Sequence, residues 1–407
     1  MQRLTPLVPN GTSGTRYITI ALWNSEVNMP TETNIKIRTG NQMIAEGALH
    51  AGCRFFAGYP ITPASGIYKS MIEELPKRNG VAISSPDEIS ALAYCVGASA
   101  RGAKAMTATS GPGWSLMIET VQYSLMTELP VVIALVQRLG PSTGGATQGG
   151  QGDILFTEFC TSGGYTIPIF APSTPQECFE AATAAMFWAE ELRTPVVVLS
   201  DKEIGMMAED VDFNSLKSFP MNDRKFYSNH KPDSPPYRSY DFSSPNDVPL
   251  FSPVGGEYKT TITGSAHDKK GSLQKNSPET IDVLRHLQQK IDARADEMSF
   301  VKIDDDPDAE ILLISFGITA RTAHDAVAAA RANGKKIRFM NVISLFPIPE
   351  AELKKAAEGT RTVLIAEENF SGQYRSVIRH LFKEQEVRGI NAFGRMITPN
   401  DMLEAMP

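Results

Sequence analysis

The chain has 407 residues, 42% hydrophobic and 21% charged, which is long enough for two or three domains with well-buried cores. Its formal net charge of -7 argues against a nucleic-acid binder, because phosphate recognition usually needs a basic face. No apolar run approaches the ~18 residues of a membrane helix.

Cys53, Cys95, Cys160 and Cys178 form no Cys-x-x-Cys pair, and the six histidines show no His-Glu-x-x-His spacing. The cysteines read as buried thiols in a reducing cytoplasm, not as ligands of a zinc or iron–sulfur centre built by this chain.

In chain order, residues 1–28 lack a helical period and the charge and apolar pattern of a targeting signal. They read as a loosely held extension, or as a stretch preceding a working start at Met29. From 40 to 205, apolar runs alternate with helical patterns. Helices are expected at 42–50, 65–75, 87–101, 114–126 and 174–192. Strands are expected at 54–58, 81–84, 104–109, 130–137, 166–170 and 195–199. Continuous apolar strands between helices imply a parallel sheet covered on both faces.

Residues 210–300 break this rhythm with Asn, Ser, Pro, Asp and Tyr, as in Pro232-Asp-Ser-Pro-Pro-Tyr237. The stretch is long for a loop inside one domain and reads as an irregular connector, closed by a helix over 278–293. Alternation resumes with strands at 310–316, 336–342 and 361–366, a helix over 319–333, and helices starting at 349 and 372. The expected organisation is an extension (1–36), an α/β domain (37–209), the connector (210–300) and a smaller α/β domain (301–407).

Four strand-end segments carry candidate chemistry. In Tyr59-Pro-Ile-Thr-Pro-Ala-Ser65, two prolines stiffen a loop around the hydroxyl of Thr62. Pro86 suits the first helical position, which puts Glu88 in the first turn. A carboxylate there either stabilises the helix end, by about 0.3–1 kcal/mol, or exchanges a proton with a heteroaromatic nitrogen.

Thr107-Ala-Thr-Ser-Gly-Pro-Gly113 is either a tight strand-to-helix turn or a small-residue cradle for a flat ligand. Arg138 directly follows a buried strand and precedes a loop rich in Gly, Ser and Thr that ends at Asp153. It is either solvated or a bidentate holder of a carboxylate. In a parallel sheet the strand ends converge on one edge, which would bring Thr62, Glu88, Ser110 and Arg138 together.

These motifs, with Gly264-Ser-Ala-His-Asp268 and Asn341-Val-Ile-Ser-Leu-Phe-Pro347, resemble the alpha subunits of 2-oxoacid:ferredoxin oxidoreductases, most closely those acting on 2-oxoglutarate. The resemblance spans about residues 30–400. It implies a thiamine-diphosphate pyrimidine-binding domain followed by a smaller transketolase C-terminal-like domain.

By the same resemblance, Glu88 would hydrogen-bond the aminopyrimidine ring and favour the imino form, whose nitrogen can deprotonate the thiazolium carbon. Thr62 would contact the substrate and Arg138 would bind its carboxylate. Tyr59, Pro60, Ile61, Thr109, Ser110 and Gly111 would line the cofactor.

The sequence has no Gly-Asp-Gly motif for Mg²⁺ and diphosphate, and no cysteine cluster for a [4Fe–4S] centre. The resemblance therefore implies a beta subunit that brings both, in an α2β2 complex using coenzyme A and ferredoxin. A large apolar face around 58–65 and 110–115 should await that partner. Pyruvate, branched-chain or aryl-pyruvate substrates stay open, as does a non-catalytic scaffold, although joint retention of Thr62, Glu88 and Arg138 argues against the last.

Overall fold

A computed structural model describes residues 34–228 and 236–407, together with the backbone of 16–18. The rest of the expected extension 1–28, and most of the Pro232–Tyr237 stretch, lie outside the described residues.

In chain order the strands are β1 (Arg16–Ile18), β2 (Ile35–Thr39), β3 (Phe55–Gly58), β4 (Val81–Ser84), β5 (Ala105–Thr109), β6 (Val132–Gln137), β7 (Ile169–Phe170) and β8 (Val196–Asp201). They continue with β9 (Ala208–Asp212), β10 (Val301–Asp304), β11 (Ile311–Ser315), β12 (Ile337–Val342), β13 (Ser344–Phe346), β14 (Thr362–Glu367) and β15 (Glu386–Asn391).

The first domain is built on a seven-stranded sheet of order β13-β7-β8-β6-β5-β3-β4, parallel except for β13. Every residue of β5, β6 and β8 is buried, as the continuous apolar runs require of strands covered on both faces. Successive residues serve opposite cores. Ile133 and Leu135 join the cluster containing Leu92, Trp114 and Val121, from helices Glu88–Ala100 and Gly111–Met126. Val132, Ala134 and Val136 join the cluster containing Met43, Ile44 and Phe179, from helices Gly40–His50 and Pro175–Leu192.

The second domain has a six-stranded sheet, β1-β10-β12-β11-β14-β15. Its chain does not stay within it. Immediately after β12, β13 crosses to the first sheet and pairs antiparallel with β7, Ser344 opposite Phe170. Ala171 N donates to Ile343 O at 2.6 Å, and Asn341 Nδ2 to Ser173 Oγ at 2.8 Å. The two sheets are thereby stitched together.

The connector wraps the first domain through buried charges. Arg224 forks onto Glu190 at 2.6 and 2.8 Å, and Lys290 meets Glu128 at 2.5 Å. Such pairs offset the cost of burial only when hydrogen-bonded all round, and Arg224 also donates to Ser99 O and Ala103 O.

Several elements differ from the sequence reading. The strand expected over 166–170 is confined to Ile169–Phe170, and the helix expected from 114 begins at Gly111. The ribbon of β2 and β9, the strands β10, β13 and β15, and the helix Pro399–Ala405 had no clear period to announce them.

Candidate active site

The C-terminal ends of β3, β4, β5 and β6 open onto one edge of the parallel sheet, the side where ligands bind in open α/β folds. The loop after β3 is fixed from three directions. Asn41 Nδ2 donates to Pro63 O at 2.8 Å, Arg138 Nη1 to Thr62 O at 2.5 Å, and Ser65 Oγ to Ile61 O at 3.0 Å. Tyr59 and Pro60 are left exposed, while Ile61 and Thr62 are half-buried.

Helix Glu88–Ala100 starts differently from the sequence expectation. Pro86 does not occupy its first position. Asp87 is the N-cap, its carboxylate accepting from Ser90 N at 2.7 Å, and Glu88 is the first helical residue. The Asp side chain outcompetes Pro because it satisfies an otherwise orphaned backbone donor. That bond holds the Asp87 carboxyl below its usual range. Glu88 is buried, and its carboxylate makes no hydrogen bond among the described residues.

Glu88 packs against the turn after β5. A methyl group at Gly113 would overlap Thr109 Oγ1 and lie 2.8 Å from Glu88 Oε1, so only glycine permits this contact. Ser110 caps helix Gly111–Met126 by position, but its hydroxyl makes no cap bond and is buried without a partner among the described residues. Thr109 is fully buried, and its hydroxyl reaches Ser110 O at 3.3 Å.

Arg138 leaves β6 and is buried. Besides Thr62 O it reaches Thr143 O at 3.0 Å, while Nε has no partner among the described residues. It lines a cavity of about 500 Å³ together with Gly111 and Asp153 from the first domain and Glu368, Phe370 and Phe393 from the second. Thr62 adjoins this cavity through Arg138, and Glu88 through the Thr109–Gly113 turn; neither lines it directly. The geometry therefore gathers the sequence candidates at one edge but opens the space between the domains.

Four residues here went unread as site residues in the sequence. Gln151, fully buried, joins the domains. Its side chain bonds Asp201 Oδ2 at 3.0 Å, Phe316 O at 3.1 Å, Thr319 Oγ1 at 2.9 Å and Glu368 N at 2.9 Å. Burial pushes the carboxyl of Asp201 up to about 6 and that of Glu368 up to about 8. Asp153 is also pushed up to about 6 by burial, with Arg138 acting against the shift. The only signal was the Gly-rich string ending Gln151-Gly-Asp153, whose partners lie some 50 to 220 residues away. No cluster of His, Cys, Asp and Glu suited to a metal occurs among the described residues.

Residues 46–285 match the family described as pyruvate flavodoxin/ferredoxin oxidoreductase, thiamine diphosphate-binding, and residues 309–402 match pyruvate:ferredoxin oxidoreductase core domain II. The chain belongs to this family of 2-oxoacid oxidoreductases. It is 39% identical to 2-oxoglutarate synthase subunit KorA of Methanothermobacter marburgensis, over 89% of this chain and 96% of the relative. Ketoisovalerate oxidoreductase subunit VorB of Methanothermobacter thermautotrophicus is 32% identical over 90% of this chain and 95% of the relative.

Among solved structures, the 2-oxoglutarate:ferredoxin oxidoreductase from Magnetococcus marinus, with 2-oxoglutarate, coenzyme A and succinyl-CoA bound, superposes with a TM-score of 0.83 at 28% identity. The match covers 91% of this chain and 64% of that longer one. As a family member, the chain is an oxidoreductase subunit whose two α/β domains are the pyrimidine-binding domain and core domain II.

Proposed function

We propose that the chain is the alpha subunit of a 2-oxoglutarate:ferredoxin oxidoreductase. The complex would convert 2-oxoglutarate and coenzyme A to succinyl-coenzyme A and CO2 while reducing ferredoxin, or run the reverse. The observation that carries the chemistry is the convergence of Thr62, Glu88 and Arg138 on one sheet edge, with the Thr109–Gly113 turn between them. The KorA relatives favour 2-oxoglutarate; the VorB relative keeps a branched-chain acid as the second reading.

The residues fit a bound aminopyrimidine. Among the described residues the Glu88 carboxylate has no hydrogen-bond partner and the Ser110 hydroxyl is orphaned, and the Gly113 position admits no side chain. Glu88 would share a proton with the ring nitrogen, and Tyr59, Pro60, Ile61, Thr109, Ser110 and Gly111 would wall the ring. Thiamine diphosphate, when bound, supplies the carbon nucleophile and electron sink that 2-oxoacid decarboxylation needs. Thr62 would position the substrate, and Arg138 would hold its carboxylate through donors not spent on the loop.

A beta subunit would contribute Mg²⁺, the diphosphate anchor and a [4Fe–4S] cluster, in an α2β2 assembly in the cytoplasm. The exposed side chains of Tyr59, Ile89, Leu116, Phe159 and Phe370 support a partner-covered face. Among the described residues no helix is long and apolar enough to cross a membrane.

Glu88→Gln, co-expressed with the beta subunit, should assemble normally and lose about 10²-fold or more in anaerobic decarboxylation, the usual scale for removing a positioned acid–base group. Near wild-type turnover would rule out the role assigned to Glu88.

A further inference from the structure

We propose that Asp153 is a further functional residue of this site, which couples binding of the substrate carboxylate at Arg138 to the uptake of one proton. The inference rests on the 2-oxoacid reading above.

Asp153 is held firmly. Its N–H donates to Gln137 Oε1 at 3.1 Å, and its carbonyl accepts from Thr157 N at 2.8 Å. The carboxylate lies flat against the start of helix Gly111–Met126, so that a methyl group at Gly111 would sit 3.1 Å from both oxygens. It lines the same cavity as Arg138, yet among the described residues no hydrogen bond or ion pair reaches its buried Oδ2. Asp153 as a whole is half-buried, but a carboxylate oxygen buried and unpaired in this way is costly when ionised.

The charges facing Asp153 set the sign of the coupling. Arg138 comes from the end of β6, and Glu368 lines the opposite wall of the same cavity. Among the described side chains, Arg138 is the charge that favours the ionised form, and burial outweighs it, leaving the group at about 6. A substrate carboxylate landing on Arg138 would neutralise that one favourable charge and add a like charge nearby. Both effects raise the affinity of Asp153 for a proton. As pH rises through about 6 the free site becomes mostly ionised and takes up a proton as the substrate enters; at lower pH the proton is mostly present already.

In the assembled complex, the KM for 2-oxoglutarate should therefore climb several-fold between pH 6 and 8. Asp153→Asn, neutral at every pH and nearly the same shape, should flatten that climb and give the lower KM at pH 8. An unchanged slope in this variant would overturn the coupling. A purely structural Asp153 would change kcat or yield without touching the slope. A second measurement needs no variant and no turnover: calorimetric titration of the wild-type complex with glutarate, at pH 7.5 in two buffers of different ionisation enthalpy. Net proton uptake supports the coupling and zero uptake overturns it. Because glutarate is not turned over, that result stands apart from any failure of the assigned reaction.

Discussion

Arg138 has the most divided duties of any residue at the site. Two of its nitrogens hold the backbone of Thr62 and Thr143, and so fix the loops on either side of it. The remaining donors are what a substrate carboxylate would meet. Arg138→Ala should raise the KM for the 2-oxoacid by about 10-fold or more, the scale of a charge-assisted hydrogen bond, with a smaller effect on kcat. Steady-state kinetics on the complex checks this, and an unchanged KM would mean that the carboxylate is held elsewhere.

The arginine was legible from sequence because it directly follows an apolar strand. Glu88 was legible because it opens a helix, although its N-cap is Asp87 and not a proline-led first turn. Asp153 was not legible, since nothing in its local pattern tells that Gly111 and Arg138 surround it.

At the scale of elements, the joint between the domains turns on Gln151. One side chain spans the end of β8, the start of helix Gly317–Ala332 and the end of β14. Two carboxyls at this joint, Asp201 and Glu368, are raised above the ordinary range by burial. Folding thus favours their protonated forms. The stability they contribute is fully present below pH 4 and is lost as pH rises, through about 6 for Asp201 and about 8 for Glu368. The thermal midpoint of the chain should accordingly fall between pH 6 and 8, and Glu368→Gln should reduce that fall. Scanning calorimetry across this range checks it; a midpoint that rises with pH in the wild type would contradict the assignment.

The central strands of both domains, such as β5, β6, β8, β11 and β14, could be read as apolar runs, because each is buried by its own neighbours. The exchange of β13 into the first sheet could not. Its partner β7 lies more than 170 residues earlier and is itself only two residues long.

For the whole molecule, the apparent incompleteness of the sequence becomes a matter of shape. The first domain offers a carboxylate, a hydroxyl and a guanidinium along one edge. The second closes a cavity against the guanidinium, and apolar side chains such as Phe159 and Phe370 stay exposed, at 69% and 82%. A half-site flanked by uncovered aromatics suits a subunit that works in a complex. The measurement that tests this account most directly is anaerobic turnover of the complex reconstituted with its beta subunit, across a panel of 2-oxoglutarate, pyruvate, 2-oxoisovalerate and aryl-pyruvates. The account predicts reduction of a low-potential acceptor that depends on coenzyme A and thiamine diphosphate, with the highest kcat/KM for 2-oxoglutarate. Preference for another 2-oxoacid would contradict the substrate assignment, and turnover of none would contradict the account itself.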